Sequence, residues 1–429
     1  MAALALMTAA CSNDDNDLTT PQPQKAEGIT ITAQLAPKTN GATTRAVSDG
    51  TNKIVAEWAE NEHLAVLYEV GGTKYAADAT ITAVDGSGAA TITFEVESGT
   101  ADDTPCTLVY PAKLTDGTTT VYKDDLSGVK DAATLLAAQD GTLSAKLDVR
   151  VGEGTIQTTT PGLTVTTQPA AQFAIFKFTL QDLSAAAKSA TEFKVSDGSG
   201  NVMTTVTPGS ASGELYVALP VMAAGTYWFN ATIDSKSYIA KATTAAATVA
   251  GKYYQSTVKM ATLGDVILAD GKFAAPSSTG TKVAMIAYLG NGSNCTNGLA
   301  IELNASPAYM DWSAVCSYSS YPSITGNPGT WRLPSKADWQ NMFVGCAKSG
   351  DAISPDGNGI MDPIAGIKEK IGATGITALS KYCWSSTESG SKVWVVQVSL
   401  YDKPKVMARA RFFEANTSDS YYVLGCLAF

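Results

Sequence analysis

Few residues in this 429-residue chain have the type and spacing that catalytic or metal-binding side chains need. His63 is the only histidine, so a Ser-His-Asp triad or a histidine-based metal site would have to include it. It stands just before an apolar run, which is typical of a loop or strand-edge residue. No two of the seven cysteines are spaced as Cys-x-x-Cys, which argues against a zinc site. Since paired carboxylates, phosphate loops and nucleophile elbows are also missing from the sequence, we predict that the chain is not an enzyme.

Cys11 is the cysteine with the clearest chemical context. It follows a short apolar run that ends in small residues, Ala9-Ala10, and it precedes the polar segment Ser-Asn-Asp-Asp. The pattern resembles a bacterial lipoprotein signal, in which the cysteine is lipidated and becomes the new N-terminus. The alternative is a removed signal peptide with an incidental cysteine. No other stretch reaches the roughly 18 apolar residues needed to span a bilayer, so we expect the rest of the chain outside the membrane.

Composition limits the classes of partner and fold. The formal net charge of −10 and the sequence pI near 4.7 argue against nucleic acid, which requires basic patches. Thr and Val are frequent and favour strands, and the 37 glycines mark turns, so the chain should be mainly β. Its length suits about three domains of roughly 150 residues.

The elements that would position these residues form successive blocks. Residues 12–28 are polar and read as a linker after a signal segment at 1–11, and the alternating residues 29–35 predict a strand. Many short strands separated by glycine turns then predict one β-sandwich over 29–165 and a second over 166–262. Five of the seven tryptophans and five of the seven cysteines follow residue 290, which indicates a separate domain over 263–429. This last block mixes strands with a helix that Ser335 is expected to cap.

The first two blocks contain four motifs in a fixed order. They are Thr44-Arg45-Ala46, Ala56-Glu-Trp58-Ala-Glu-Asn-Glu-His-Leu-Ala-Val66, Leu108-Val-Tyr-Pro-Ala112 and Leu136-Ala-Ala-Gln-Asp-Gly141. In these motifs the two blocks resemble the fimbrillin family of Bacteroidales pili. The resemblance implies two tandem transthyretin-like β-sandwich domains, and assembly with other pilin subunits by donor-strand exchange. It also implies proteolysis between Arg45 and Ala46, which would release the strand at 29–35. The alternative is that Arg45 is an ordinary exposed loop residue.

The last block contains three motifs that are rich in tryptophan. They are Thr330-Trp-Arg-Leu-Pro-Ser-Lys-Ala-Asp-Trp339, Tyr382-Cys-Trp-Ser-Ser-Thr387 and the strand containing Trp394. In these motifs the block resembles a bacterial variety of C-type-lectin-like domain, which implies an α+β fold. Arg332, if buried, needs a carboxylate or carbonyl partner, and three tryptophans of the motifs are expected in the core: Trp331, Trp339 and Trp384.

The lectin-like block departs from calcium-dependent sugar-binding lectins, because it lacks their Glu-Pro-Asn and Trp-Asn-Asp motifs. We therefore predict no metal and no cofactor. Calcium stays as the one alternative, since a single loop offers the oxygen ligands that it prefers, although their spacing is not that of an EF-hand. These ligands would be Asp351, Asp356, Asn358 and Asp362.

Together these features lead us to expect a fimbrial subunit, at the tip of the fimbrium, that is exported as a lipoprotein to the cell outer membrane and adheres through its lectin-like block. A tip position would follow if the last strand is buried in its own domain and cannot be donated. The ligand would be a glycan or a surface protein, with aromatic contacts from Tyr318, Tyr321 and Tyr401. The alternative function is a non-pilus outer-membrane surface lipoprotein that captures glycans or proteins.

Overall fold

A computed structural model gives the fold of most of the chain. It describes residues 28–37, 42–43, 48–50, 53–55, 57–112, 139–144, 147–292, 295–303, 309–326, 329–348, 360–361, 365–374, 380–399 and 409–429. The described part is mainly β, as predicted, with helices only in its last block. None of the helices in these ranges is long and apolar enough to cross a membrane.

The first block is built from ten strands. They are β1 Ile29–Leu35, β2 Ala42–Thr43, β3 Ser48–Gly50, β4 Lys53–Val55, β5 His63–Val70, β6 Thr73–Val84, β7 Ala90–Val96, β8 Thr104–Tyr110, β9 Arg150–Gln157 and β10 Gly162–Ala171. Seven of them form one sheet in the order β1-β7-β6-β5-β8-β9-β10, and β2, β4 and β3 form a small separate sheet. The end strands β1 and β10 contact each other, so the large sheet folds over on itself around one apolar core.

The second block has seven strands in two sheets. They are β11 Ala174–Asp182, β12 Glu192–Asp197, β13 Val202–Val206, β14 Glu214–Leu219, β15 Gly225–Ile233, β16 Lys236–Thr244 and β17 Tyr253–Met260. The sheet β14-β11-β17 and the sheet β13-β12-β15-β16 enclose a common core. Its centre is a triangle of rings, Phe178, Phe193 and Phe229, whose centroids lie 5.3 to 5.9 Å apart.

The described part of the last block combines strands with three helices. Its elements are β18 Val266–Leu268, β19 Phe273–Ala274, β20 Lys282–Leu289, β21 Gly298–Glu302, β22 Met310–Asp311, α1 Trp312–Cys316, β23 Thr330–Arg332, α2 Lys336–Cys346, β24 Ile360–Met361, α3 Ala365–Ala373, β25 Ser380–Ser389, β26 Lys392–Ser399, β27 Arg409–Asn416, β28 Ser420–Tyr421 and β29 Cys426–Ala428. The sheets run β19-β18-β20-β21-β29-β23, β24-β27-β26-β25 and β22-β28.

Helix α2 begins where the sequence predicts. The Ser335 hydroxyl accepts a hydrogen bond from the Asp338 backbone N–H, and the Asp338 carboxylate accepts one from the Ser335 backbone N–H, which makes a capping box. Trp339 and Phe343 then lie one turn apart on the buried face, with their rings 5.9 Å apart. The predicted N-cap is therefore confirmed.

The three blocks are joined by apolar contacts. Ala65 and Val109 of the first block pack in one cluster with Ile175 of the second. Trp228 of the second block stacks on Phe429 of the last at 6.0 Å. The predicted limit at residue 165 falls inside β10, which pairs with β9 as far as Ala171, and the cluster around Trp228 runs across residue 262.

Candidate functional sites

The first candidate site is the edge strand β1. It pairs antiparallel with β7 over its whole length, from Ile29 opposite Val96 to Leu35 opposite Ala90. In the sheet as the structure describes it, β10 touches the other flank of β1 without joining its ladder. Pro169 of β10 contributes to this, because proline has no N–H to donate to a neighbouring strand. Among the residues that the structure describes, the backbone of β1 is bonded along one side.

The side chains of β1 hold the strand in place. Ile31 and Leu35 are fully buried and Ala33 is nearly so, while Thr30, Thr32 and Gln34 face outward. This alternation is the period of a strand with one face on a core. Each fully buried Ile or Leu side chain stabilises the strand by about 1.5–3 kcal/mol. Loss of β1 would therefore expose an apolar groove, named here the β1 groove, whose floor is Ala90, Ile92 and Phe94 of β7.

Side chains also fix the end of β1. The Trp58 Nε1–H donates to the Ala36 carbonyl at 3.0 Å, and the Ala36 N–H donates to Gln168 Oε1 at 3.1 Å. Trp58 itself packs edge-on against Tyr110, with ring centroids 5.2 Å apart. These bonds take the place of ladder bonds where the strand ends. The predicted lipidation and cleavage residues, Cys11, Arg45 and Ala46, lie outside the described residues.

The second candidate site is an aromatic surface of the last block, named here the tyrosine face. It consists of Tyr309, Tyr382, Tyr421 and Tyr422. Tyr309 is 58 % exposed and Tyr382 is 40 % exposed, which makes them unusual among the large apolar side chains of this protein. Exposed aromatic rings supply much of the binding energy at protein interfaces. The rings of Tyr309 and Tyr422 lie 4.3 Å apart, and those of Tyr382 and Tyr421 lie 6.0 Å apart.

A buried tryptophan supports the tyrosine face from below. Trp384 is fully buried, contacts Tyr421 edge-on at 5.0 Å and donates from Nε1 to the Met310 carbonyl at 2.8 Å. The Tyr422 N–H donates to the Tyr382 carbonyl at 2.9 Å, which joins the two halves of the face. The surface is therefore rigidly supported, which lowers the entropy lost when a ligand binds.

The predicted ligand residues lie beside this support. Tyr318 and Tyr321 follow α1, pack against the same apolar cluster as Trp384 and meet edge-on at 4.9 Å. Tyr321 also stacks on Trp331 at 5.8 Å and is half-buried, and the Tyr318 hydroxyl donates to the Ser320 carbonyl. Their role as ligand contacts stays a prediction. Tyr401 lies outside the described residues. So do the four predicted calcium ligands, Asp351, Asp356, Asn358 and Asp362.

Sequence reasoning did not single out the residues of the tyrosine face. Tyr382 belongs to the motif Tyr382-Cys-Trp-Ser-Ser-Thr387, whose tryptophan is expected in the core. A usable signal was present, because Tyr382 stands two positions before the core residue Trp384 and so lies on the same side of β25. Tyr309 carries no comparable local signal.

Two carboxylates of the last block, Asp338 and Glu302, are buried. Asp338 forms a bidentate ion pair with Arg332, in which Nη2 donates to Oδ1 at 2.8 Å and Nη1 donates to Oδ2. Burial by itself would raise the pKa of Asp338, but the hydrogen bonds from Arg332 and Ser335 outweigh it and hold the pKa below its usual value. Glu302 accepts the Gly425 N–H at 2.6 Å, and burial raises its pKa to about 7. The expected carboxylate partner of Arg332 is therefore Asp338.

The cysteines and acidic groups of the described ranges do not form a metal centre. In these ranges no three His, Cys, Asp or Glu side chains are grouped to hold an ion. The described ranges contain six cysteines, and Cys383 and Cys426 are fully buried. Burial raises the pKa of Cys426 to about 12, so this thiol stays protonated at neutral pH and is not activated as a nucleophile.

No known family model matches the sequence, and no curated protein matches it. Among solved structures, a fimbrial protein from Bacteroides ovatus is similar over 94 % of this chain and 99 % of its own, at 14 % identity and a TM-score of 0.27. A fimbrial assembly protein from Parabacteroides distasonis is similar over 54 % of this chain and 90 % of its own, at 12 % identity and a TM-score of 0.30. Because these TM-scores are low, the function is inferred below from the geometry of the chain itself.

Proposed function

We propose that this chain is a subunit of a bacterial surface fimbrium that reaches the outer membrane with a lipid on Cys11 and assembles by strand exchange. The observation that carries the proposal is β1, an edge strand that is bonded along one side and packed by alternate side chains. Strand addition uses these same features, because backbone bonds supply affinity and alternate side chains fill pockets. Cleavage between Arg45 and Ala46 would free β1 and the lipid together and open the β1 groove to another subunit.

We expect an arginine-specific endoproteinase to cut the native protein first after Arg45. The chain has five arginines, and two of them are protected: Arg150 is buried beside Asp148, and Arg332 is paired with Asp338. The fragment that begins at Ala46 should therefore appear before any other, and the cleaved chain should become able to take up a donor strand supplied by another subunit. Intact mass spectrometry follows the cut, and native mass spectrometry follows the uptake of a donor strand.

Variants at residue 45 make this test specific. Arg45→Gln should remain uncut and monomeric, whereas Arg45→Lys should resist the arginine-specific enzyme and be cut by trypsin. A first cut at Arg409 or Arg411 would contradict the proposal. If the wild-type protein is not cut and stays monomeric, the alternative of a non-pilus capture lipoprotein is supported instead.

A position at the tip of the fimbrium is part of the proposal. Strand β29 lies between β21 and β23, with Cys426 and Leu427 buried, so its release would split a six-stranded sheet. A strand held in this way is a poor donor, although the β1 groove can still accept one. Biotin-labelled subunits should therefore be found at fimbrium ends, and labelling along the shaft would rule out the tip position.

The tyrosine face is the proposed adhesive surface. We expect Tyr382→Ala to weaken binding to a glycan or surface-protein ligand by roughly 10-fold or more, because aromatic rings at the centre of an interface often contribute 2 kcal/mol or more. Because Tyr382 is 40 % exposed, the change should leave folding intact. A glycan array and a panel of bacterial surface proteins, probed with wild type and variant in parallel, measure the effect.

Two controls accompany the array. Tyr382→Phe keeps the ring and should retain most of the binding if the ring is the contact. Val202→Ala changes another exposed apolar residue, which lies on the second block and should have no effect. Equal binding by wild type and Tyr382→Ala on every positive spot would exclude Tyr382 from the adhesive surface.

A further inference from the structure

We infer that the β1 groove selects its occupant by volume, and that the incoming strand from another subunit must carry a small residue between two large ones on its inward face. This inference rests on the proposed strand exchange and specifies its partner. The strand now seated in the groove shows the pattern, since its inward residues are Ile31, Ala33 and Leu35.

The register between β1 and β7 gives the reason. Leu35 lies opposite Ala90, so a large side chain fills the space left by a small one. Ala33 lies opposite Ile92, so a small side chain faces a large one. Directly opposed side chains in an antiparallel pair are close neighbours. Ile31 lies opposite Phe94, where two large side chains meet, so the limit on volume is inferred for the position of Ala33, which faces Ile92.

The side chains around these pairs are buried. Ile31, Leu35 and Ile92 are fully inaccessible to solvent, and all belong to one close-packed cluster that includes Phe94. Additional carbon atoms at Ala33 would force this cluster apart, since protein interiors are packed at crystal-like density.

The same packing sets the register. A slip of one residue would turn Thr30, Thr32 and Gln34 into the core. A slip of two residues would set a large side chain opposite Ile92 or a small one opposite Ala90. The occupant is therefore a strand with polar residues outward and with Ile or Val, then Ala or Gly, then Leu or Ile inward.

Peptide exchange tests the inference on the full-length protein after cleavage at Arg45. The probe is a synthetic nine-residue peptide that copies Gly28–Ala36, Gly-Ile-Thr-Ile-Thr-Ala-Gln-Leu-Ala. Native mass spectrometry counts the chains that have replaced their own N-terminal fragment by the peptide. We expect the peptide with Ala33→Leu to bind about 10-fold more weakly or worse. The peptide with Thr32→Val, altered at an outward position, should bind like the parent.

A compensating change in the protein separates volume from other effects. Cleaved protein with Ile92→Ala should recover binding of the Ala33→Leu peptide, and Ile92→Val should recover part of it, since both enlarge the space opposite residue 33. Equal binding of the parent and Ala33→Leu peptides would overturn the volume selection and leave strand exchange standing. Failure of cleaved protein to take up any peptide would overturn both strand exchange and the selection.

Discussion

Replacement of Arg332 by methionine should lower the free energy of unfolding by about 3–5 kcal/mol, because it leaves a buried charge without its partner. The Asp338 side chain is 2 % exposed, and both of its carboxylate oxygens accept hydrogen bonds from the Arg332 guanidinium. Methionine fills much of the volume of the apolar part of the arginine side chain. The fall in the free energy of unfolding therefore reports mainly the Asp338 carboxylate that is left without its partner. Urea denaturation at pH 7 measures the change.

A second substitution distinguishes the buried charge from a packing defect. Adding Asp338→Asn to Arg332→Met removes the unpaired charge while it retains an acceptor for the Ser335 N–H, so the double variant should be more stable than Arg332→Met alone. Lys194→Ala breaks an ion pair with Glu192 in which both side chains are about 40 % exposed, and should cost under about 1 kcal/mol. If Arg332→Met is as mild as Lys194→Ala, the Asp338 carboxylate is not confined as described.

The second large effect concerns Glu302 and pH. Burial raises its pKa in the folded protein to about 7, from an ordinary value of 4.5. Below pH 4.5 the group is protonated in both the folded and the unfolded chain, and the stability is fully present. As the pH rises to 7, the unfolded chain releases this proton while the folded chain retains it, so stability falls by about 3 kcal/mol.

Glu302→Gln removes this pH dependence. The amide oxygen can still accept the Gly425 N–H, which the carboxylate accepts at 2.6 Å. The variant should therefore gain about 3 kcal/mol over wild type between pH 4.5 and pH 8, measured as the difference between their urea unfolding curves. Asp265, whose pKa burial raises to about 6, titrates in both proteins and cancels from this difference. A difference that does not change with pH would show that Glu302 is ionised in the folded protein at neutral pH.

Local patterns in the sequence were enough for several elements. Alternation placed β1 at Ile29–Leu35, and the segment Ser335-Lys-Ala-Asp338 placed the start of α2. The Trp-Arg-Leu-Pro motif marked Trp339 as a core residue, and the structure buries it completely. These features depend on residues a few positions apart, so strand period and helix capping reveal them without knowledge of the fold.

In the first block, local sequence patterns do not predict which strands pair. Many short strands predict a β-sandwich there, but the order β1-β7-β6-β5-β8-β9-β10 depends on which distant strands pair. That order makes β1 an edge strand and puts Leu35 opposite Ala90, 55 residues further along the chain. Neither fact can be read from the residues 29–35 alone.

Residue types and their spacing along the chain therefore predict the mainly β composition, the strand β1, the helix cap and the arginine that follows β1. Three other features depend on the three-dimensional fold: among the described residues β1 is bonded along one side, Tyr309, Tyr382, Tyr421 and Tyr422 form one surface, and burial raises the pKa of Glu302 to about 7. The two groups of features differ in how far apart in the chain the interacting residues lie. Periodicity and capping act over one or two turns, whereas edge position, shared surfaces and burial arise from contacts between residues that lie far apart in the chain.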